Sequence, residues 1–182
     1  MIWWIISIAI LIVLVFIYYF NRLVVLSNRI DNSLSQIDVQ LKKRADLVPN
    51  LLESVKGYAK HEKNIIKEVT DARKALLGAQ TLPAKMKAGS QLETALKSIF
   101  AIAENYPKLR ANENFLQLQN ELSVIEDKIA YARQFYNDSI LSYNNTCTTF
   151  PGVIFARLYN KAQKPFLQIP KEERAIPKVK FD

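Results

Sequence analysis

The single histidine of this chain, His61, stands before Glu62 in the stretch HEKNI. A zinc-protease HExxH needs a second histidine four positions on, so that both imidazoles share one helical face, and Ile65 stands there instead. With one histidine and one cysteine, Cys147, a transition-metal site would depend almost wholly on carboxylates. Glu126 and Asp127 are sequence neighbours, which on a helix point about 100° apart and form no ready acid–base pair. No GxxxxGK[ST], GxGxxG or GxSxG occurs, so phosphate-loop and nucleophile-elbow chemistries have no support. The expectation is a protein without catalytic residues, metal, cofactor or small-molecule substrate. One polar repeat stands out: Tyr136-Asn137 recurs seven residues on as Tyr143-Asn144. Both asparagines then lie on one helical face beside the tyrosines, where they fix register between helices or contact a partner; a ligand site is the other reading.

These residues sit on helices. Glycine is scarce at four and proline modest at seven, and nothing in the polar part alternates with period two, so the expected class is all-α. Met1–Phe20 is uncharged and free of proline and glycine. As a helix it spans roughly 30 Å, the thickness of a bilayer's hydrocarbon core. Ile2, Trp3 and Trp4 mark one end and Tyr18, Tyr19 and Phe20 the other, where amphipathic rings favour the membrane–water interfaces. A cleaved signal peptide fits poorly, since the run lacks a basic start and a small-residue cleavage site. Residues 1–20 are therefore expected to be a retained transmembrane anchor, 21–163 a helical bundle and 164–182, with three prolines, an extended tail.

Beyond the anchor, apolar residues step by three and four from Leu23 through Leu41, Val48, Leu52 and Val55 to Leu76, near heptad period. Pro49 interrupts this run; it lacks an amide donor and crowds the Ala45 carbonyl. Because the stripe crosses Pro49 in phase, one helix kinked near 45–49 and reaching about Leu77 is expected, with a tight hairpin there as the alternative. Gly57 would lie inside that helix, where close approach of a neighbour would explain it. GAQTLPAK, from Gly78 to Lys85, reads as a turn, followed by a helix from about Ser90 to Asn105. The clearest seam is Phe115, Leu118, Leu122, Ile125, Ile129, Ala132, Tyr136, Ser139 and Tyr143, which suits a bundle or coiled-coil groove. Pro151 opens a short last helix to about Ala162. The expected architecture is a transmembrane helix continuing into a long kinked helix and an antiparallel bundle of about four helices.

The chain carries 25 Lys and Arg against 17 Asp and Glu, a formal +8. The charges interleave along helices with no aromatic-plus-basic motif, which argues against nucleic acid. No basic residue precedes the apolar run, whereas Arg22, Arg29, Lys42, Lys43 and Arg44 follow it, so the positive-inside rule favours an outside N-terminus and a cytoplasmic domain. Lys42, Lys43 and Arg44 are the candidate contacts to anionic lipid.

The stretch QIDVQLKKRADLVPNLLESVKGYAKHE, from Gln36 to Glu62, resembles the signature of the LemA family of membrane-anchored bacterial proteins. NENFLQLQNELSVIEDKIAYARQFYNDSILSYNNTCTTFPG, from Asn112 to Gly152, is similar to the family's other characteristic segment. Departures fall at Asn32-Ser33-Leu34 and at Asn160 through Gln163. The resemblance implies a single-pass protein of the bacterial plasma membrane with a bundle of about four helices, and no established activity or cofactor. The function expected is a scaffold or adaptor that binds a protein partner, another membrane protein included, or self-associates through its helices. Peripheral anionic-lipid binding or membrane shaping through basic helix faces is the alternative.

Overall fold

The computed structural model describes residues 1–58 and 62–167. Six helices follow in order: α1 (Ile2–Lys56), α2 (Lys63–Gly78), α3 (Leu82–Ala103), α4 (Pro107–Arg110), α5 (Glu113–Thr148) and α6 (Gly152–Leu158), with no strand among the described residues. The all-α expectation holds. Contacts group the chain into two compact units, one drawn from Met1–Gln36 and Tyr131–Leu167, the other from Ile37–Ala130 among the described residues.

The second unit is an antiparallel four-helix bundle. Arg73 of α2 reaches Ala45 of α1, Lys85 and Gly89 of α3 meet Asp38 and Arg44, and Phe100 of α3 meets Phe115 of α5. These pairings set α2 and α5 against the direction of α1 and α3. The core holds Ile37, Leu41, Val48, Leu51 and Val55 from α1, Leu92, Leu96 and Ile99 from α3, and Phe115, Leu122 and Ile129 from α5. Gly89 is where α3 closes on α1: a β-carbon there would stand 2.9 Å from Leu41 Cδ2.

Several expectations are corrected here. α1 runs unbroken through Pro49, so neither a hairpin at 45–49 nor a helix to Leu77 is formed; it ends at Lys56, and Gly57 lies in the turn that follows. The helix tolerates Pro49 because the Ala45 carbonyl, deprived of its donor four residues on, accepts instead from Arg73 Nε at 2.8 Å. Gly57 is exposed, and a β-carbon there would meet only the Ser54 carbonyl, at 4.0 Å, so no close helix approach explains it. Pro83 does not stand in a turn: Thr81 caps α3, its hydroxyl accepting from the Ala84 amide, and the proline sits in the first turn.

In the first unit, the part of α5 beyond Tyr131 runs antiparallel to the stretch of α1 that holds Leu23, Leu26 and Ile30. Leu23, Leu26 and Ile30 form its core with Tyr136, Ile140, Tyr143 and Cys147. Chain beyond α5 returns beside residues 16–20, where α6 lies: it ends at Leu158, short of the expected Ala162. Ile2–Leu14 are exposed throughout, and α1 is the one helix among the described residues long and apolar enough to cross a membrane.

Candidate contact surfaces

Within the bundle, Arg44 sits three residues after Leu41 and four before Val48, on the buried stripe of α1 rather than on the surface with Lys42 and Lys43. It is 2% exposed. Its guanidinium pairs with Glu126 of α5 and donates to the Gly89 carbonyl of α3 at 3.3 Å. Arg44 is therefore no lipid contact. Lys42 and Lys43 are exposed, and Lys42 pairs with Asp46 one turn on.

Glu93 of α3 completes the cluster. It pairs with Lys97 at 2.5 Å and shares a side-chain hydrogen bond with Glu126. Burial pushes Glu93 up, but the hydrogen bonds to Lys97 and Glu126 and the charges of Lys97 and Arg44 outweigh it and hold the carboxyl below its ordinary value. Burial pushes Glu126 up as well, and there it prevails: Arg44 opposes the rise, Glu93 adds to it, and the carboxyl is held above its ordinary value. The Arg44 guanidinium of α1, between the Glu126 carboxyl of α5 and the Gly89 carbonyl of α3, thus locks three helices to one another. Hydropathy could not find Glu126, which reads as one more charge on a solvated face; the signal was Arg44 at a seam position.

A different surface of the bundle lies on the outer side of α5. Leu116 and Val124 are exposed there and, with Ile125, line a shallow open groove rimmed by Glu113, Gln117, Glu121 and Lys128.

In the first unit the repeated Tyr-Asn pairs have separate duties. Tyr136 and Tyr143 are buried, and burial raises both phenols; the Asp31 carboxylate adds to the rise at Tyr136 and the Cys147 side chain to that at Tyr143. Asn144 Nδ2 donates to the Lys164 carbonyl at 2.9 Å while its Oδ1 accepts from the Lys164 amide at 2.8 Å. Asn137 repeats this on Leu167, at 3.3 and 2.9 Å. Seven residues of helix rise about 10 Å, which three residues of extended chain also cover. The two asparagines therefore grip one strap of backbone at matched points. Their partners are backbone groups of the tail, not another helix. The residues from Lys164 to Leu167 are non-helical as expected, yet held; Lys164 also donates to Ser27 Oγ at 3.2 Å and lies over the Tyr143 ring.

α6 presents Phe155 and Tyr159 to the end of the apolar run. Phe155 stacks on Tyr19 at 4.6 Å and meets Phe16 edge-on at 5.0 Å; Tyr159 packs on Phe20 at 5.4 Å and donates its hydroxyl to the Phe16 carbonyl at 3.0 Å. Tyr19 and Phe20, read as interfacial anchors, thus contact protein as well. Ile2, Trp3, Trp4 and Tyr18 are exposed. Gly152 is required at the start of α6, because a β-carbon there would run into the Thr146 carbonyl.

No three histidine, cysteine, aspartate or glutamate side chains converge as metal ligands among the described residues; His61 lies outside them. Cys147 is buried, and burial pushes its thiol up.

The sequence model of the LemA family matches residues 33–181. The chain is similar to Protein LemA of Metamycoplasma hominis, 29% identical over 143 residues that cover 74% of this chain and 64% of the relative. It is also similar to Magnetosome protein MamQ of Magnetospirillum gryphiswaldense, at 24% identity over 64% of this chain and 53% of the relative. Magnetosome protein MamQ 2 of Paramagnetospirillum magneticum is 23% identical over 72% of this chain and 58% of the relative. The chain spans roughly half to two-thirds of the length of these curated relatives, and their names denote no enzyme.

Proposed function

We propose a function from the premise that the chain belongs to the LemA family: it is a single-pass membrane protein that works as a scaffold, with its domain on the cytoplasmic side of a bacterial plasma membrane. Three things support this reading. The helix from Ile2 is apolar, exposed and long enough to cross a bilayer. Basic residues, Arg22, Arg29, Lys42 and Lys43 among them, gather after it. The polar groups converging inside the bundle, Arg44 and Glu126 with the Gly89 carbonyl, tie helices together.

The observation that carries the scaffold reading is the groove on α5. Its exposed apolar floor, Leu116 and Val124, and its rim of Glu113, Glu121 and Lys128 have the anatomy of a small protein interface, with a dry centre and a polar edge. An amphipathic helix of a partner, or of a second copy, fits such a groove. A photo-crosslinking residue placed at Val124 of the full chain in intact membranes should capture one protein or a second copy. Capture should be lost when Leu116→Glu is added. A Val124 probe that crosslinks nothing, beside a Tyr131 probe that behaves identically, overturns the reading.

A further inference from the structure

Among the described residues nothing covers the face of α6 that carries Ile154 and Leu158. Phe150, Ile154 and Leu158 are 82%, 55% and 60% exposed, and Ile154 and Leu158 lie one turn apart on the same side. Three large apolar side chains in so short a segment would be a poor choice for a surface in water. Their position explains them. Phe155 and Tyr159, each about 100° round from the preceding Ile154 and Leu158, are fastened by three aromatic contacts and one hydrogen bond to Phe16, Tyr19 and Phe20, the last turns of the apolar run. If Ile2–Phe20 spans a bilayer, those turns lie at the boundary between acyl chains and headgroups, and α6 is held at the same depth.

We propose that α6 is a second membrane element: an interfacial segment that lays Phe150, Ile154 and Leu158 into the acyl–headgroup boundary of the leaflet from which the domain emerges. Charge agrees with this occupant. From Ser139 to Lys171 the chain has no Asp or Glu, while Arg157 and Lys161 are exposed beside the apolar stripe. Their stems lie along the boundary and their charges reach lipid phosphates. A helix of seven residues would bind a bilayer feebly as a free peptide. Fixed to the anchor, it meets the surface at high effective concentration and gives up little freedom. The chain is then attached at two places, and the domain is steadied against rotation about α1.

This rests on Ile2–Phe20 being a span, and the test separates the two. The full chain carrying Trp3→Phe and Trp4→Phe is reconstituted at one copy per nanodisc of phosphatidylethanolamine and phosphatidylglycerol. Tryptophan is introduced singly by Ile154→Trp, Leu158→Trp or, in the span, Ile10→Trp. Lipids brominated near the headgroup should quench the probes at 154 and 158, and lipids brominated near the chain ends should quench the probe at 10. If the probe at 10 is quenched while those at 154 and 158 emit as in water and yield to iodide, the span stands and the proposal falls. Blue-shifted emission at 154 and 158 that ignores bromine would mean that protein covers the stripe, which also overturns it. A probe at 10 that no brominated lipid reaches removes the span and the proposal together.

Discussion

Replacing Arg73 with methionine isolates the device that lets α1 pass through Pro49. The thioether keeps most of the aliphatic stem and removes the donor, so the Ala45 carbonyl, buried and already without its helical partner, is left empty. A hydrogen bond from a charged donor contributes about 1.5–3 kcal/mol; with the Arg73 side chain part-exposed, about 1–2 kcal/mol is the expected loss for Arg73→Met. Pro49→Ala alone restores an amide that bonds Ala45 and removes a helix-interior proline, a gain of up to about 3 kcal/mol less roughly 1 kcal/mol for the looser unfolded chain. In that background Arg73→Met should cost almost nothing beyond its packing. The coupling energy of the cycle is then about 1 kcal/mol or more, read from guanidinium unfolding of the full chain in mild detergent, followed by helical circular dichroism. If Arg73→Met costs the same with and without the proline, Arg73 does not serve the Ala45 carbonyl and the reasoning fails.

Asn144→Ala combined with Asn137→Ala removes four hydrogen bonds to the strap; at about 1 kcal/mol net for each asparagine, opening should rise roughly tenfold or more, seen as faster trypsin cleavage after Lys161. Arg44→Met strips Glu93 and Glu126 of their shared cation and should cost about 1–3 kcal/mol near neutral pH, discounted because Glu126 is part-exposed. The sign with pH follows from Glu126: a carboxyl held above its ordinary value stabilises in the protonated state and loses that contribution as pH rises through its folded value. Without Arg44 the value climbs further, so the deficit of the variant should shrink as pH falls toward the carboxylate range, in unfolding curves recorded at several pH values. Gly152→Ala should loosen α6, and the probe at 154 should then lose its contrast with water-exposed positions. Cys147, buried and pushed up, should be alkylated by iodoacetamide at least roughly tenfold more slowly in the folded chain than in the denatured one.

Periodicity carried the reading of sequence into structure where contacts are local to a helix face. The α5 seam from Phe115 to Tyr143 is buried or half-buried along its whole length, and the apolar run at the N-terminus is one exposed helix. The same reliance on period misplaced the end of α1. α2 has its own stripe, at Val69 and Leu76, and it falls in phase with that of α1, so a turn after Lys56 looks like uninterrupted helix. Arg44 was misjudged by adjacency: Lys42 and Lys43 share its charge but not its face. The partners of Asn137, Asn144 and Tyr159 lie 30, 20 and 143 residues away and are mostly backbone groups, which leave no mark in side-chain patterning.

The contact of Tyr159 with Phe16 has a consequence for the order in which the chain is built. Contacts of the bundle are drawn from one continuous stretch of the described chain, 37–130, and can form as soon as that stretch has left the ribosome. The other unit is assembled from the two ends of the described chain, and its bonds close loops of 137 and 143 residues. Phe16 is translated 143 residues before Tyr159, from whose hydroxyl its carbonyl accepts a hydrogen bond. Through that interval Phe16, Tyr19 and Phe20 lack the rings of Phe155 and Tyr159 that pack on them. Formation of this helix and completion of its aromatic contacts are thus separated by the translation of 143 residues.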